Sequence, residues 1–192
     1  MKNIAYRGGM IVLGIALGIG SVRMMLPHSQ LGNGGYSVGP WRTGTDYGSA
    51  SAGMYTRARV ALYGLLALDK KETLYYIAQK DDAGAPLSGN CTYVVEGKDL
   101  AARWWSVTAY GPDSFLIAND ANIFSFAKTT VKREADGHYV VRVSAERQEG
   151  NWLPVKAGEN FDLTARFYNP DPSLYDAPGS AELPHIVKES CK

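Results

Sequence analysis

The stretch Asn151-Trp152-Leu153-Pro154, followed by Phe161-Asp162-Leu163-Thr164-Ala165-Arg166-Phe167-Tyr168, decides the fold. Pro154 has a fixed φ and biases Leu153 to an extended conformation, so the first piece is a loop or strand end and not a helix. Trp152 is large and amphipathic, with a ring to pack and an N–H that needs an acceptor. The second piece alternates. Phe161, Leu163, Ala165 and Phe167 share one face, and Asp162, Thr164, Arg166 and Tyr168 share the other. A period of two marks a half-buried strand. Asn169-Pro170-Asp171-Pro172 then stops it.

Working outward, short strands recur. Thr73–Gln79 and Asn90–Glu96 read as strands, separated by the turn-rich loop Asp81-Asp82-Ala83-Gly84-Ala85-Pro86-Leu87-Ser88-Gly89. Arg103–Tyr110 sets Trp104, Ser106, Thr108 and Tyr110 opposite Trp105, Val107 and Ala109. Short apolar pieces follow at Phe115–Ile117 and Ile123–Phe126. Asp136-Gly137 is a hairpin turn leading into the alternating stretch His138–Ala145. Ser49–Leu68 has the three- and four-residue spacing of a helix, carried by Met54, Ala58, Ala61, Leu62, Leu65 and Leu68. The expected fold class is mainly β: antiparallel sheets in a β-sandwich or jelly-roll, with one helix packed at an edge or end.

The N-terminus is different in kind. Gly8–Val22 is uncharged and mostly apolar, and Ile4–Leu26 extends the run to a length that can span a bilayer, with Arg7 and Arg23 near its ends. Lys2 and Arg7 precede the run, which keeps the N-terminus cytoplasmic and puts the remainder across the inner membrane, in a bacterial periplasm. The expectation is an uncleaved anchor. The competing reading is a signal peptide, although no Ala-x-Ala site follows the apolar core. Gly14 and Gly18 have the G-x-x-x-G spacing that lets helices approach, and this opens the routes of a membrane-protein partner or a homo-oligomer. Pro27–Gly48, rich in Gly, Ser, Asn and Pro, reads as a flexible tether, with Trp41 its large apolar residue. The expected organisation is therefore an anchor over 1–26, a tether over 27–48 and a folded domain over 49–192.

Composition excludes some functions. The whole chain of 192 residues has a net charge of +1. Lys2, Arg7 and Arg23 lie in the first 26 residues, which have no acid, so the rest has a net charge of −2. That argues against nucleic acid as a partner. His28, His138 and His185 lack metal-ligand spacing, and no Walker loop or dinucleotide fingerprint is present. No metal and no cofactor is expected. Cys91 and Cys191 are the two cysteines. In an exported domain they permit a disulfide closing a loop of about 100 residues, worth up to ~4–5 kcal/mol by chain entropy. The other reading is a buried thiol at Cys91 and a free one near the terminus.

In order, these segments resemble the DUF1214 family of bacterial domains. The residues that carry the likeness are Asp82-x-Gly84-x-x-Leu87-x-Gly89, then Trp105-Ser106-Val107-Thr108-x-Tyr110, Asn119, Ser125 and Asp136-Gly137. Asn151-Trp152-Leu153-Pro154, Phe161-x-Leu163-x-x-Arg166-x-Tyr168-x-Pro170 and Pro184-x-Ile186-Val187 complete it. The resemblance covers roughly 55–188. It implies a β-sandwich of undefined activity, often preceded in one longer chain by a second domain, DUF1254, whose place here is taken by the apolar segment and tether.

The polar face of the strands is where a site is expected. Trp104, Tyr110, Asn119, Asp120, Arg166 and Tyr168 combine aromatic platforms with hydrogen-bonding groups, a mixture suited to a carbohydrate or lipid-like ligand. Asn151 and Trp152 share this chemistry, but turn backbone and the core are their simpler uses. Asp120 with Arg166 is the acid–base pairing to test for catalysis. No catalytic set stands out, so the expected role is a membrane-anchored accessory or binding module of the envelope. The alternatives are an envelope enzyme acting on a carbohydrate or lipid-like substrate and a small subunit of a membrane complex.

Overall fold

The structure, a computed structural model, describes residues 2–25, 35–44, 47–62, 66 and 68–192. His28, Leu65, the end of the expected anchor at residue 26 and positions 27–34 and 45–46 of the expected tether lie outside these residues. Helix α1 runs Lys2–Met25. Its segment Tyr6–Met24 is long and apolar enough to cross a membrane.

The rest is mainly β. Strands β1 (Gly35–Val38), β2 (Trp41–Gly44), β3 (Thr73–Ala78), β4 (Cys91–Gly97) and β5 (Ala102–Tyr110) are followed by β6 (Ser125–Ala127) and β7 (Tyr139–Ser144). Then come β8 (Asn151–Pro154), β9 (Asp162–Pro170) and β10 (His185–Cys191). Helix α2 spans Met54–Leu62. One sheet has six strands in the order β1-β2-β3-β9-β5-β6, and the other has four in the order β10-β4-β7-β8. The inner faces meet in one core. Leu74 and Tyr76 of β3, Trp105 and Val107 of β5, and Leu163 and Phe167 of β9 face Tyr93, Val95, Tyr139, Val141, Leu153 and Ile186 of the other sheet. The Trp105 and Tyr139 rings stack at 5.3 Å across the gap, and Trp105 Nε1 donates to Asp99 Oδ1 at 2.9 Å. This is the packing of a β-sandwich.

Strand β9 lies in the interior of the six-stranded sheet. It pairs antiparallel with β3 on one side and β5 on the other, so Phe167 sits between Leu74 and Trp105 while Arg166 sits between Tyr75 and Ser106. Inward residues fill the core, and outward ones form a row along the outer face of the six-stranded sheet.

Four expectations change. The tether does not run to residue 48: Gly35–Gly44 forms the β1–β2 hairpin, and β2 pairs with β3 through Trp41↔Ala78 and Arg42↔Ile77. Trp41 is buried and its Nε1 donates to the Pro184 carbonyl at 2.8 Å, so one large ring anchors two strands too short to show a period. The sheets are not wholly antiparallel, because β7 and β8 run parallel. The six-residue connection suffices because β8 begins level with Val141, only about 10 Å back along a short strand. Among the described residues the helix expected over 49–68 is confined to Met54–Leu62, where Met54 and Leu62 remain exposed. Residues 185–191, expected only as a closing motif, form a full strand. Cys191 lies opposite Cys91 in its register, with a Cα–Cα distance of 4.0 Å, and the two are joined by a disulfide.

Candidate functional site

The outward row of β9 is the floor of a cavity of about 870 Å³. Asp162, Thr164, Arg166 and Tyr168 run along its centre. Tyr75, Ile77 and Gln79 flank them from β3 and its end, and Tyr110 from the end of β5. The register explains this convergence, since Tyr75 lies opposite Arg166, Ile77 opposite Thr164 and Tyr110 opposite Asp162. One wall comes from Ala61 and Leu62 at the end of α2 together with Leu66. The other is the turn from Pro112 to Leu116.

Each wall is held by backbone chemistry. Tyr75 Oη donates to the Leu66 carbonyl at 2.6 Å and ties the helical side to the sheet. The turn is closed by Gly111 N–H to Phe115 O at 2.9 Å and by Asp113 Oδ1 accepting from Phe115 N–H at 3.0 Å. It thus presents Phe115 and Leu116 at the mouth. Phe161 N–H bonds to Leu87 O at 3.3 Å and closes the end near Asp162.

The polar groups on the floor are few and unusual. Arg166 Nη2 donates to Tyr110 Oη at 2.6 Å, and its guanidinium lies 5.2 Å from the Tyr110 ring centroid and 5.9 Å from that of Tyr75. Asp162 is half-buried, and burial pushes its carboxyl up to about 7, against the opposing pull of a Thr164 hydrogen bond and the Arg166 charge. Thr164 Oγ1 donates to Asp162 Oδ1 at 3.4 Å. Burial also raises the Tyr75 phenol, with Tyr168 adding to the effect and Arg166 opposing it. A carboxyl that titrates near neutrality beside a cation in a cleft is able to hold or release a proton there. Among the described residues no cluster of His, Cys, Asp and Glu is arranged for a metal ion.

Of the residues singled out from sequence, Tyr110, Arg166 and Tyr168 line this cavity. Trp104 backs it, with its ring 5.3 Å from that of Tyr168. Asn119 stands apart, because its amide is used within its own loop: Nδ2 donates to the Ile117 and Ile123 carbonyls and Oδ1 accepts from Ile123 N–H. Asp120 is exposed and is not among the lining residues, so the Asp120–Arg166 pairing gives way to Asp162 beside Arg166. Asn151 satisfies backbone, accepting from Lys132 N–H and donating to the Lys132 and Val140 carbonyls. Trp152 is half-buried and donates to Ser144 O. Sequence reasoning missed Tyr75, Asp162 and the turn at 112–116 as parts of one site. The signal for Asp162 was present in the period that puts it on the same face as Arg166 and Tyr168. Tyr75 and Tyr76 were adjacent aromatics with nothing to say which faced the core.

The architecture defines a class first: a two-sheet β-sandwich with a cavity on the outer face of its larger sheet, in a chain that also has an N-terminal apolar helix. The chain belongs to the family described as "Protein of unknown function (DUF1214)", whose model matches residues 72–172. Among solved structures it is similar to the VPA0106 protein from Vibrio parahaemolyticus, with a TM-score of 0.61 and 29% identity, over 73% of this chain and 36% of that one. It also matches an uncharacterized protein from Burkholderia cenocepacia at 17% identity and a TM-score of 0.43, over 63% of this chain and 30% of that one. The chain thus spans about a third of the length of these structural relatives. No curated protein matches it.

Proposed function

We propose that this chain is a membrane-anchored binding module whose outer-sheet cavity takes a small amphipathic molecule on the periplasmic side of a bacterial inner membrane. One observation carries the reading: a cavity of about 870 Å³ in which Tyr75, Tyr110 and Tyr168 surround a small polar set headed by Asp162 and Arg166. Ligand sites are concave, mostly apolar and furnished with a few convergent polar groups, in volumes of roughly 300–1,000 Å³. The anchor rests on α1, and the periplasmic side on Lys2 and Arg7 preceding its apolar stretch. The disulfide supports the same side, since such bonds persist in oxidising compartments.

The test is native mass spectrometry of the full chain, purified gently from its own membrane, beside the variant Ala61→Trp. Ala61 is an exposed wall residue, so a tryptophan there narrows the mouth without entering the core. The expected result is a bound small-molecule mass that the variant loses. A bare chain, or a mass indifferent to the substitution, overturns the reading.

A second reading has one feature in its favour, the burial that pushes the Asp162 carboxyl up to about 7. On that reading the chain is an enzyme acting on a carbohydrate or lipid-like substrate, with Asp162 as a proton donor or acceptor. Asp113 also lines the cavity, but one of its oxygens is engaged by Phe115 N–H. Turnover of the bound molecule that Asp162→Asn abolishes while binding survives would favour the enzyme.

A further inference from the structure

Arg166 is half-buried and, among the described residues, forms no ion pair. Six other cations of the domain do pair with carboxylates: Lys70, Lys128, Arg133, Arg142, Lys156 and Lys192. A guanidinium has five N–H donors and no acceptor. Here Nη2 reaches the Tyr110 hydroxyl, and the Tyr75 and Tyr110 rings lie alongside the guanidinium. Ring faces favour a cation but leave its remaining donors without oxygen partners. Those donors are not among the buried unpaired atoms of the described residues, so they open to the cavity, where an anion that enters can accept from them.

The nearby carboxyl does not take that role fully. Asp162 is held near neutrality by burial, so around pH 7 much of it is protonated and presents an O–H rather than a competing charge. Lys80 also lines the cavity, and Asp113 is tied to the 112–116 turn. The lining thus has two cations, Lys80 and Arg166, against the Asp113 carboxylate of the wall turn, and the floor at Arg166 favours negative charge.

The mouth has the opposite character. Leu62, Leu66 and Phe115 are 71%, 72% and 72% exposed, and Leu116 is 48% exposed. All four line the same cavity, on both of its walls. Exposed apolar side chains gathered around an opening mark a surface meant to be covered. Aliphatic walls offer a sugar few hydrogen bonds, and one candidate platform, Tyr168, already packs against Trp104.

We infer that the cavity takes an anionic single-chain amphiphile, its acid group held on Arg166 and its hydrocarbon chain covered by Leu62, Leu66, Phe115 and Leu116. This rests on the reading of the cavity as a ligand site and names its ligand class. The carboxylate or phosphate oxygens accept the unused Arg166 N–H donors in the bidentate geometry that guanidinium favours. The chain removes the apolar mouth from water.

The experiment compares three probes of equal chain length: octanoate, 1-octanol and octyltrimethylammonium. The full chain is held in phosphatidylcholine nanodiscs, and binding is read by isothermal titration against empty discs. Octanoate is expected to bind at least tenfold tighter than the cation. Arg166→Gln should weaken octanoate at least tenfold and 1-octanol less than twofold, and Arg166→Lys should restore part of the preference. If octyltrimethylammonium binds the wild type as well as octanoate, the head-group assignment is wrong while the ligand site stands. If Arg166→Gln leaves octanoate unchanged, the assignment to Arg166 is wrong. If no probe binds, the inference falls together with the reading it rests on. The wild-type comparison decides the charge preference even if the variants fold poorly.

Discussion

On β9, Asp162 points outward beside Arg166, yet its carboxyl is pushed up to about 7 because burial outweighs the cation and the Thr164 hydroxyl. Its unfolded value is near the ordinary 3.8. Between these two values the folded state holds a proton that the unfolded state has released. Stability is therefore greatest below about pH 4 as far as this group is concerned, and it declines as pH rises through 7. The cost at pH 8 is at most about 4 kcal/mol, since one pKa unit is worth roughly 1.4 kcal/mol. Asp162→Asn removes that cost. Urea unfolding at pH 5 and pH 8 should show the variant gaining on the wild type as pH rises, and a pH-independent difference would contradict the account. A second residue-scale effect is steric. A Cβ on Gly89 would meet the Lys156 carbonyl oxygen at 1.8 Å, whereas Gly84, at φ +84°, has open space around it. Gly84→Ala should cost about 1–2 kcal/mol of backbone strain. Gly89→Ala should cost more, because the 156–159 turn must move and Gly89 N–H bonds to Glu159 O. Equal losses in thermal unfolding would show that this close approach does not matter.

At the scale of elements, the legible parts were those with enough residues to display a period. Strand β9 has nine residues, of which Asp162–Tyr168 alternate polar and apolar side chains, and its partner β5 is legible for the same reason. The β1–β2 hairpin has the sequence of a tether because each strand has four residues and the apolar content is concentrated in Trp41. The strand β10 was hidden by its composition: after Ile186 and Val187 it continues Lys188-Glu189-Ser190, polar residues on an exposed edge. What holds that edge is partly covalent. Cys91 and Cys191 are register partners in β4 and β10, and the bond closes a loop with a sequence separation of 100. Opening a loop of that size costs up to about 4–5 kcal/mol in the chain-entropy picture. Cys191→Ser should therefore lower stability by ~2–4 kcal/mol and raise amide exchange first in β10. Loss of stability with β10 still protected would separate the bond from the strand. The candidate site was half legible for a related reason. Period two placed Arg166 and Tyr168 on one face with Asp162, but which residues of other elements meet them depends on strand order. The pairing of β9 with both β3 and β5 brings in Tyr75 and Tyr110. The family match over residues 72–172 contains this floor, whereas Ala61, Leu62 and Leu66 fall outside it.

For the molecule as a whole, the question is how α1 and the sandwich work together. Tyr6–Met24 is 19 residues, or about 28 Å as a helix, close to the ~30 Å hydrocarbon thickness of a bilayer. From Met25 to Gly35 the chain can reach at most about 35 Å, so an uncleaved α1 would keep the β1 edge of the sandwich within that distance of the membrane surface. The cavity opens on the same six-stranded sheet that β1 borders. A cavity with an apolar mouth, kept this near a bilayer, meets membrane amphiphiles at a high effective concentration. This arrangement predicts that the full-length chain stays with the membrane after carbonate extraction and retains its first residues by intact mass. It also predicts that a C-terminal epitope is digested when protease is added to spheroplasts but not to intact cells. A soluble product lacking the first twenty or so residues would make the segment a signal peptide, and the ligand would then have to be carried rather than met in place. An epitope protected in spheroplasts would put the domain in the cytoplasm, where the Cys91–Cys191 bond would be exposed to reduction and the anchor's orientation would contradict Lys2 and Arg7.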